Sequence, residues 1–156
     1  NKCAMHRQAS FYVANWPDGT TVAEDGDVYA FYLPPVDPAA GKPVLGGGEI
    51  VGQFNDDPWT QATALYMGST LYNNDFLLIC DCVVGNKNVD IANVQGPINK
   101  LSTEILADPA VVFRFDASDL MPAAVGTGSF WTGMVEWVLG NKTTEEVTTD
   151  IQTSWP

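Results

Sequence analysis

Proline and glycine decide where regular structure can run in this chain. The sequence spreads 10 prolines and 14 glycines over 156 residues. Each proline removes an amide donor and each glycine frees the backbone, so only short elements fit between them. Pro34-Pro35 through Gly41-Lys42-Pro43 therefore reads as a loop. Asp57-Pro58 reads as a helix start, with Asp as N-cap and Pro at the first helical position, opening a helix over 58–69. Gly96-Pro97 opens another, with Ile98, Leu101, Ile105 and Leu106 at helical spacing. It closes before Asp108-Pro109, because the residue before a proline disfavours helix. Ser129 is expected to cap a helix carrying Phe130, Trp131, Met134, Val135, Trp137 and Val138, which stops at Gly140. Thr143 and Glu146 form a capping box for a last helix ending near Trp155. Stretches rich in aromatic and β-branched residues at 10–13, 28–33 and 111–115 predict extended segments, and Gly46-Gly47-Gly48 delivers the chain into a further strand over 49–52. The run over 76–84 reads equally as buried strand or helix. Strands mixed with about four helices, and no internal repeat, make the fold class α/β, with α+β as the alternative.

Seven basic and 19 acidic residues leave a formal charge of −12. A field of that sign repels polyphosphate and anionic bilayers, so no nucleic-acid or membrane-surface partner is expected. Hydrophobic residues at 46% and charged residues at 17% fit a globular chain rather than a disordered one. The apolar run over 76–80 is about a quarter of the ~20 residues needed to cross a bilayer. The sequence opens at Asn1 with no charged-then-apolar leader, and so is silent about export. Cys3, Cys80 and Cys82 form an odd set, and Cys80-Asp81-Cys82 lacks the second spacer of a metal knuckle. A bridge from Cys3 to Cys80 or Cys82 is expected, because a Cys-x-Cys bridge closes a strained ring.

His6 is the sole histidine, which removes multi-histidine metal sites and leaves one candidate base. Ser10, Cys80 or Cys82 would have to be brought to it, and no Gly-x-Ser-x-Gly elbow presents a nucleophile. Carboxylates cluster at Glu24-Asp25-Asp27, Asp56-Asp57, Asp116-Asp119 and Glu145-Glu146. A glycosidase needs two such groups across a sugar bond, but turn acids and helix caps account for each cluster equally well. Gly46-Gly47-Gly48 lacks the Lys-Ser/Thr of a phosphate loop. No catalytic residue, metal or cofactor is expected. Trp131 and Trp137, six apart, cannot face one direction on one helix, so one can pack inward while the other meets a ligand. Aromatic faces suit sugars, whose C–H surfaces stack while their hydroxyls seek polar groups at the edge.

The order of several blocks adds to this reading. Met5-His6-Arg7-Gln8-Ala9-Ser10-Phe11, Gly41-Lys42-Pro43-Val44-Leu45-Gly46-Gly47-Gly48-Glu49, the stretch from Phe113-Arg114-Phe115-Asp116 to Met121-Pro122, Ser129-Phe130-Trp131 and the final Trp155 resemble the carboxy-terminal part of extracellular solute-binding proteins of carbohydrate ABC importers. The α-glucoside branch, related to maltose-binding protein, is the most similar. The resemblance covers almost the whole chain as one segment, 1–156, with a hinge crossing near 44–52, and implies part of a two-lobed clamp that closes on a sugar without chemistry. It implies an oligosaccharide ligand, an ABC permease as partner and a periplasmic or extracellular location. Carried over by position, Phe11 and Trp131 are stacking aromatics, and Gln8 and Glu49 are hydroxyl partners; many relatives carry an aromatic where Glu49 stands. Members of the family are much longer, which implies either a missing amino-terminal half or, as the alternative, a freestanding homo-oligomeric module, such as a homodimer, with no transport function of its own.

Overall fold

The structure is a computed structural model and describes residues 4–156. The chain forms two compact units. The first comprises Asn1–Pro43 and Glu49–Val112, the second Val44–Gly48 and Phe113–Pro156. Two strands, β1 (Lys42–Gly46) and β2 (Val111–Phe115), pair with each other. They run parallel, and the Asp116 amide donates to the Gly46 carbonyl at 3.0 Å just past the end of β2. Each strand begins in the first unit and ends in the second. A short parallel pair accompanied by helices makes the chain α/β.

The first unit holds α1 (Pro58–Met67), α2 (Thr70–Leu77) and α3 (Pro97–Ala107). The predicted start of α1 is realised in detail: Asp57 Oδ1 accepts from the amides of Trp59 and Thr60 at 2.8 and 3.0 Å, and Pro58 occupies the first helical position. Ser69 caps α2 through the Tyr72 amide at 3.2 Å. The ambiguous run over 76–84 therefore resolves into the end of α2 followed by irregular backbone. Leu77 and Val94 are fully buried apolar side chains of the first unit. Asn73, also buried, donates to the carbonyls of Met67 and Ser69 at 2.9 and 2.8 Å, tying the end of α1 to the start of α2. Lys42 Nζ bonds Asp108 Oδ2 at 2.5 Å, linking the start of β1 to the end of α3.

The second unit holds α4 (Trp131–Val138) and α5 (Thr144–Thr153). The capping box forms as expected: the Thr143 amide donates to Glu146 Oε2 at 2.8 Å and the Glu146 amide to Thr143 Oγ1 at 3.2 Å. Gly140, at φ 77°, ends α4 in the left-handed region that favours glycine. Val125 and Val147 are buried. Gly133 lets α4 lie against α5, since a methyl group there would sit 2.9 Å from Val147 Cγ1.

Several expectations are corrected. Residues 10–13 are not a strand; Ser10–Asn15 is a 3₁₀ helix closed by the Tyr12 amide on the Ala9 carbonyl and the Trp16 amide on that of Val13. Among the described residues no strand lies alongside to accept their backbone groups, and the chain satisfies them locally. Residues 29–33 are irregular, with only the isolated bridge between Val22 and Val28 before them. The strand near the glycines is β1, which takes in the first of them, Gly46, and 47–52 is irregular. The described residues hold five α-helices, in line with the expected number of about four. Ser129 is not an N-cap. Ala124–Phe130 is a π-helix running straight into α4, and the Ser129 hydroxyl pairs with that of Ser154 at 2.5 Å. Cys80 and Cys82 are joined in a disulfide with Cα atoms 5.2 Å apart, inside the usual span despite one intervening residue. The expected partner Cys3 lies outside the described residues.

Candidate functional site

Gln8, Phe11 and Glu49 belong to the first unit and Trp131 to the second. Phe11 sits in the 3₁₀ helix and leaves 66% of its surface in solvent. Its neighbour Tyr12 is engaged instead, edge-on to His6 at 4.6 Å and to Trp16 at 6.4 Å between ring centres. This aromatic row anchors the short helix and leaves the Phe11 ring free. Gln8 is exposed, and its Oε1 accepts from the Ala9 amide at 2.9 Å, so its Nε2 is the group it offers outward. Glu49 is exposed in irregular backbone after the three glycines.

Trp131 opens α4 and is also 66% exposed. A Trp side chain carries up to ~250 Å², so covering what is exposed releases at most about 4 kcal/mol, and covering one ring face about 2. Trp137 is 47% exposed and donates from Nε1 to Thr144 Oγ1 at 3.1 Å, an interaction within the α4–α5 pair. The two tryptophans thus divide as their six-residue spacing requires, Trp131 outward and Trp137 against a neighbour.

Each carboxylate cluster has a member engaged in local structure. The Thr60 hydroxyl and backbone hold Asp57 below the usual carboxylate range. The Ser118 hydroxyl and backbone do the same for Asp116, and Thr21 for Asp27. The Thr143 backbone and hydroxyl lower Glu146, and the Lys42 ammonium lowers Asp108. A general acid needs the opposite shift. Among the described residues no group of three or more His, Cys, Asp and Glu side chains could hold a metal, and no helix is long and apolar enough to cross a membrane. The sequence reading missed an open groove lined by Gln53, Asp56, Gln61, Ala64 and Leu65 in the first unit. Gln61 Nε2 already bonds Asp56 Oδ1 at 2.6 Å there, so its polar groups face each other. It also missed the π-helix before Trp131, whose one sequence signal is the pair of glycines, Gly126 and Gly128.

Phe11 and Trp131 thus stand exposed in their respective units, and Asp57, Asp116 and Glu146 are bonded within helix caps. Comparison with known proteins finds relatives of the chain. The chain is 37% identical over 154 residues to the osmoprotective compounds-binding protein of Synechocystis sp.. It is 36% identical over 156 residues to the alpha-glucosides-binding periplasmic protein of Rhizobium meliloti. Each match covers 99% of this chain, which spans 35% and 33% of the length of those relatives. Along its whole length the chain is homologous to periplasmic solute-binding proteins. No family model matches the chain, and no solved structure matches it.

Proposed function

We propose that this chain takes part in binding an α-glucoside or a related oligosaccharide for import by an ABC permease, outside the cytoplasmic membrane and without catalysis. The observation that carries the reading is the similarity of the chain to one protein named for binding alpha-glucosides and to another named for binding osmoprotective compounds. The exposed rings support it: Phe11 in the first unit and Trp131 in the second each offer a stacking face, with Gln8 Nε2 and the Glu49 carboxylate as hydroxyl partners. A sugar is selected when its hydroxyls match such groups, since an unmatched buried partner costs about 1–3 kcal/mol. Engagement of the acids in caps supports binding without turnover. The passage of the chain between units at Val44–Gly48 supports reading that stretch as the hinge.

Calorimetric titration with maltose, trehalose and sucrose tests the reading. Saturable binding is expected. Trp131→Ala should weaken it about 30-fold, the equivalent of ~2 kcal/mol for one covered ring face, with the circular dichroism spectrum unchanged. Equal affinity in the variant removes Trp131 from the site, and absence of binding to all three sugars by the folded protein refutes the proposal.

A further inference from the structure

We propose that the π-helical segment Ala124–Phe130 is the positioning element for Trp131, fixing by its register the direction in which the ring leaves α4. The inference rests on the sugar-binding reading for its purpose, but its geometry lies entirely in the second unit. A π-helix is rare, and its i→i+5 bonding gives each turn one residue more than an α turn, which sets the following side chains back by about 100°. It persists where its surroundings leave no alternative.

Three contacts hold it here. A methyl group on Gly126 would lie 2.3 Å from the Ser118 carbonyl oxygen, so the backbone there is pressed against the 3₁₀ helix Ala117–Leu120. Gly133, seven residues on, lies against Val147 of α5, where a methyl group would sit 2.9 Å from Cγ1. Residues seven apart in an α-helix share nearly one face, whereas these two glycines meet different neighbours. The Ser129 and Ser154 hydroxyls, paired at 2.5 Å, fasten the segment between them to the end of α5. With both ends clamped, the extra residue is taken up as π register, and Trp131 is the first side chain beyond it. Its ring is exposed while Phe130 beside it is partly covered.

The test deletes the exposed Thr127, which restores α register without removing a buried group. Wild type, Trp131→Ala and the deletion variant are titrated with maltose. The Trp131 indole N–H resonance, assigned by its loss in Trp131→Ala, is followed in parallel. The deletion is expected to move that resonance and to weaken maltose binding about tenfold, or ~1.4 kcal/mol, while the helical dichroism is retained. Wild-type affinity with an unmoved resonance overturns the inference. If the wild-type protein does not bind maltose, the functional reading fails by itself, and the resonance decides: movement in the deletion variant upholds the positioning role, and none overturns it. If the deletion variant does not fold, Ser129→Ala takes its place, because it releases the fastening without changing chain length. A moved resonance upholds the role there, and an unmoved one overturns it.

Discussion

Gly133→Ala tests whether α4 and α5 pack as closely as they stand. In an exposed helix the substitution would stabilise by about 1 kcal/mol, because Gly loses more backbone entropy than Ala. Here the new methyl would lie 2.9 Å from Val147 Cγ1, closer than carbon atoms approach without movement. Val147 is 3% exposed, and a β-branched residue in a helix has one favoured χ1 rotamer, so it cannot turn aside cheaply. Overpacking of this kind costs about 1–3 kcal/mol, leaving the variant up to about 2 kcal/mol less stable. Val147→Ala alone should cost about 2 kcal/mol by emptying a buried site. It also opens the space that the new methyl requires. In the Val147→Ala background, Gly133→Ala should therefore change sign and stabilise by up to about 1 kcal/mol. The cycle is measured by urea denaturation followed by far-ultraviolet circular dichroism, comparing midpoints at constant m. A Gly133→Ala variant more stable than wild type, with additive effects in the double variant, would refute close α4–α5 packing.

Other expectations follow from single contacts. Asp57→Ala should destabilise by about 1–2 kcal/mol through loss of the α1 cap, whereas Asp56→Ala should stay within about 0.5 kcal/mol, both read by denaturant midpoints. Trp137→Ala should cost about 1–2 kcal/mol, less than the ~3–5 of a fully buried aromatic, because the ring is only half-buried; a larger loss in the same assay would contradict its exposure. Asp57 and Asp116 have folded pKa values below their ordinary 3.8, and Glu146 below 4.5. Their stabilisation is therefore present above those values and lost as pH falls through and below them. Lys142, raised above 10.5 by Asp150, contributes below that pH and loses its contribution above it. The thermal midpoint should drop at both extremes, and an acid limb left unchanged by replacing Asp57, Asp116 and Glu146 with their amides would contradict the assignment. Peptide mapping without reductant should recover Cys80 and Cys82 linked to each other, and a cross-link from either to Cys3 would contradict the pairing.

Where an element is decided by groups a few residues apart, the sequence is legible. Asp57 with Pro58, Gly96 with Pro97, Thr143 with Glu146, and Gly140 each satisfy or terminate backbone within one turn, and α1, α3, α5 and the end of α4 lie where those residues require. The short extended run Val111–Phe115 was also visible, because its β-branched and aromatic residues follow a proline that bars helix. The candidate site was legible only through the ordered blocks that carry the resemblance, since no spacing rule distinguishes Phe11 or Trp131 from core aromatics.

What the sequence determined by itself is thus the start of α1, α3 and α5, the end of α4 and the α/β class, because each depends on covalent neighbours or on the pattern along the chain. Only the tertiary structure decided the rest. Ser10–Asn15 coils where no strand of the described residues lies alongside it, and the strand that takes in Gly46 stops there, where its partner β2 ends at Phe115. Ser129 gives up its capping role to a hydroxyl 25 residues away. Trp131 stands exposed between backbone pressed against Ser118 and a helix packed against Val147. Each of these outcomes depends on a partner distant in the chain, and a local pattern carries no information about which partner will be there.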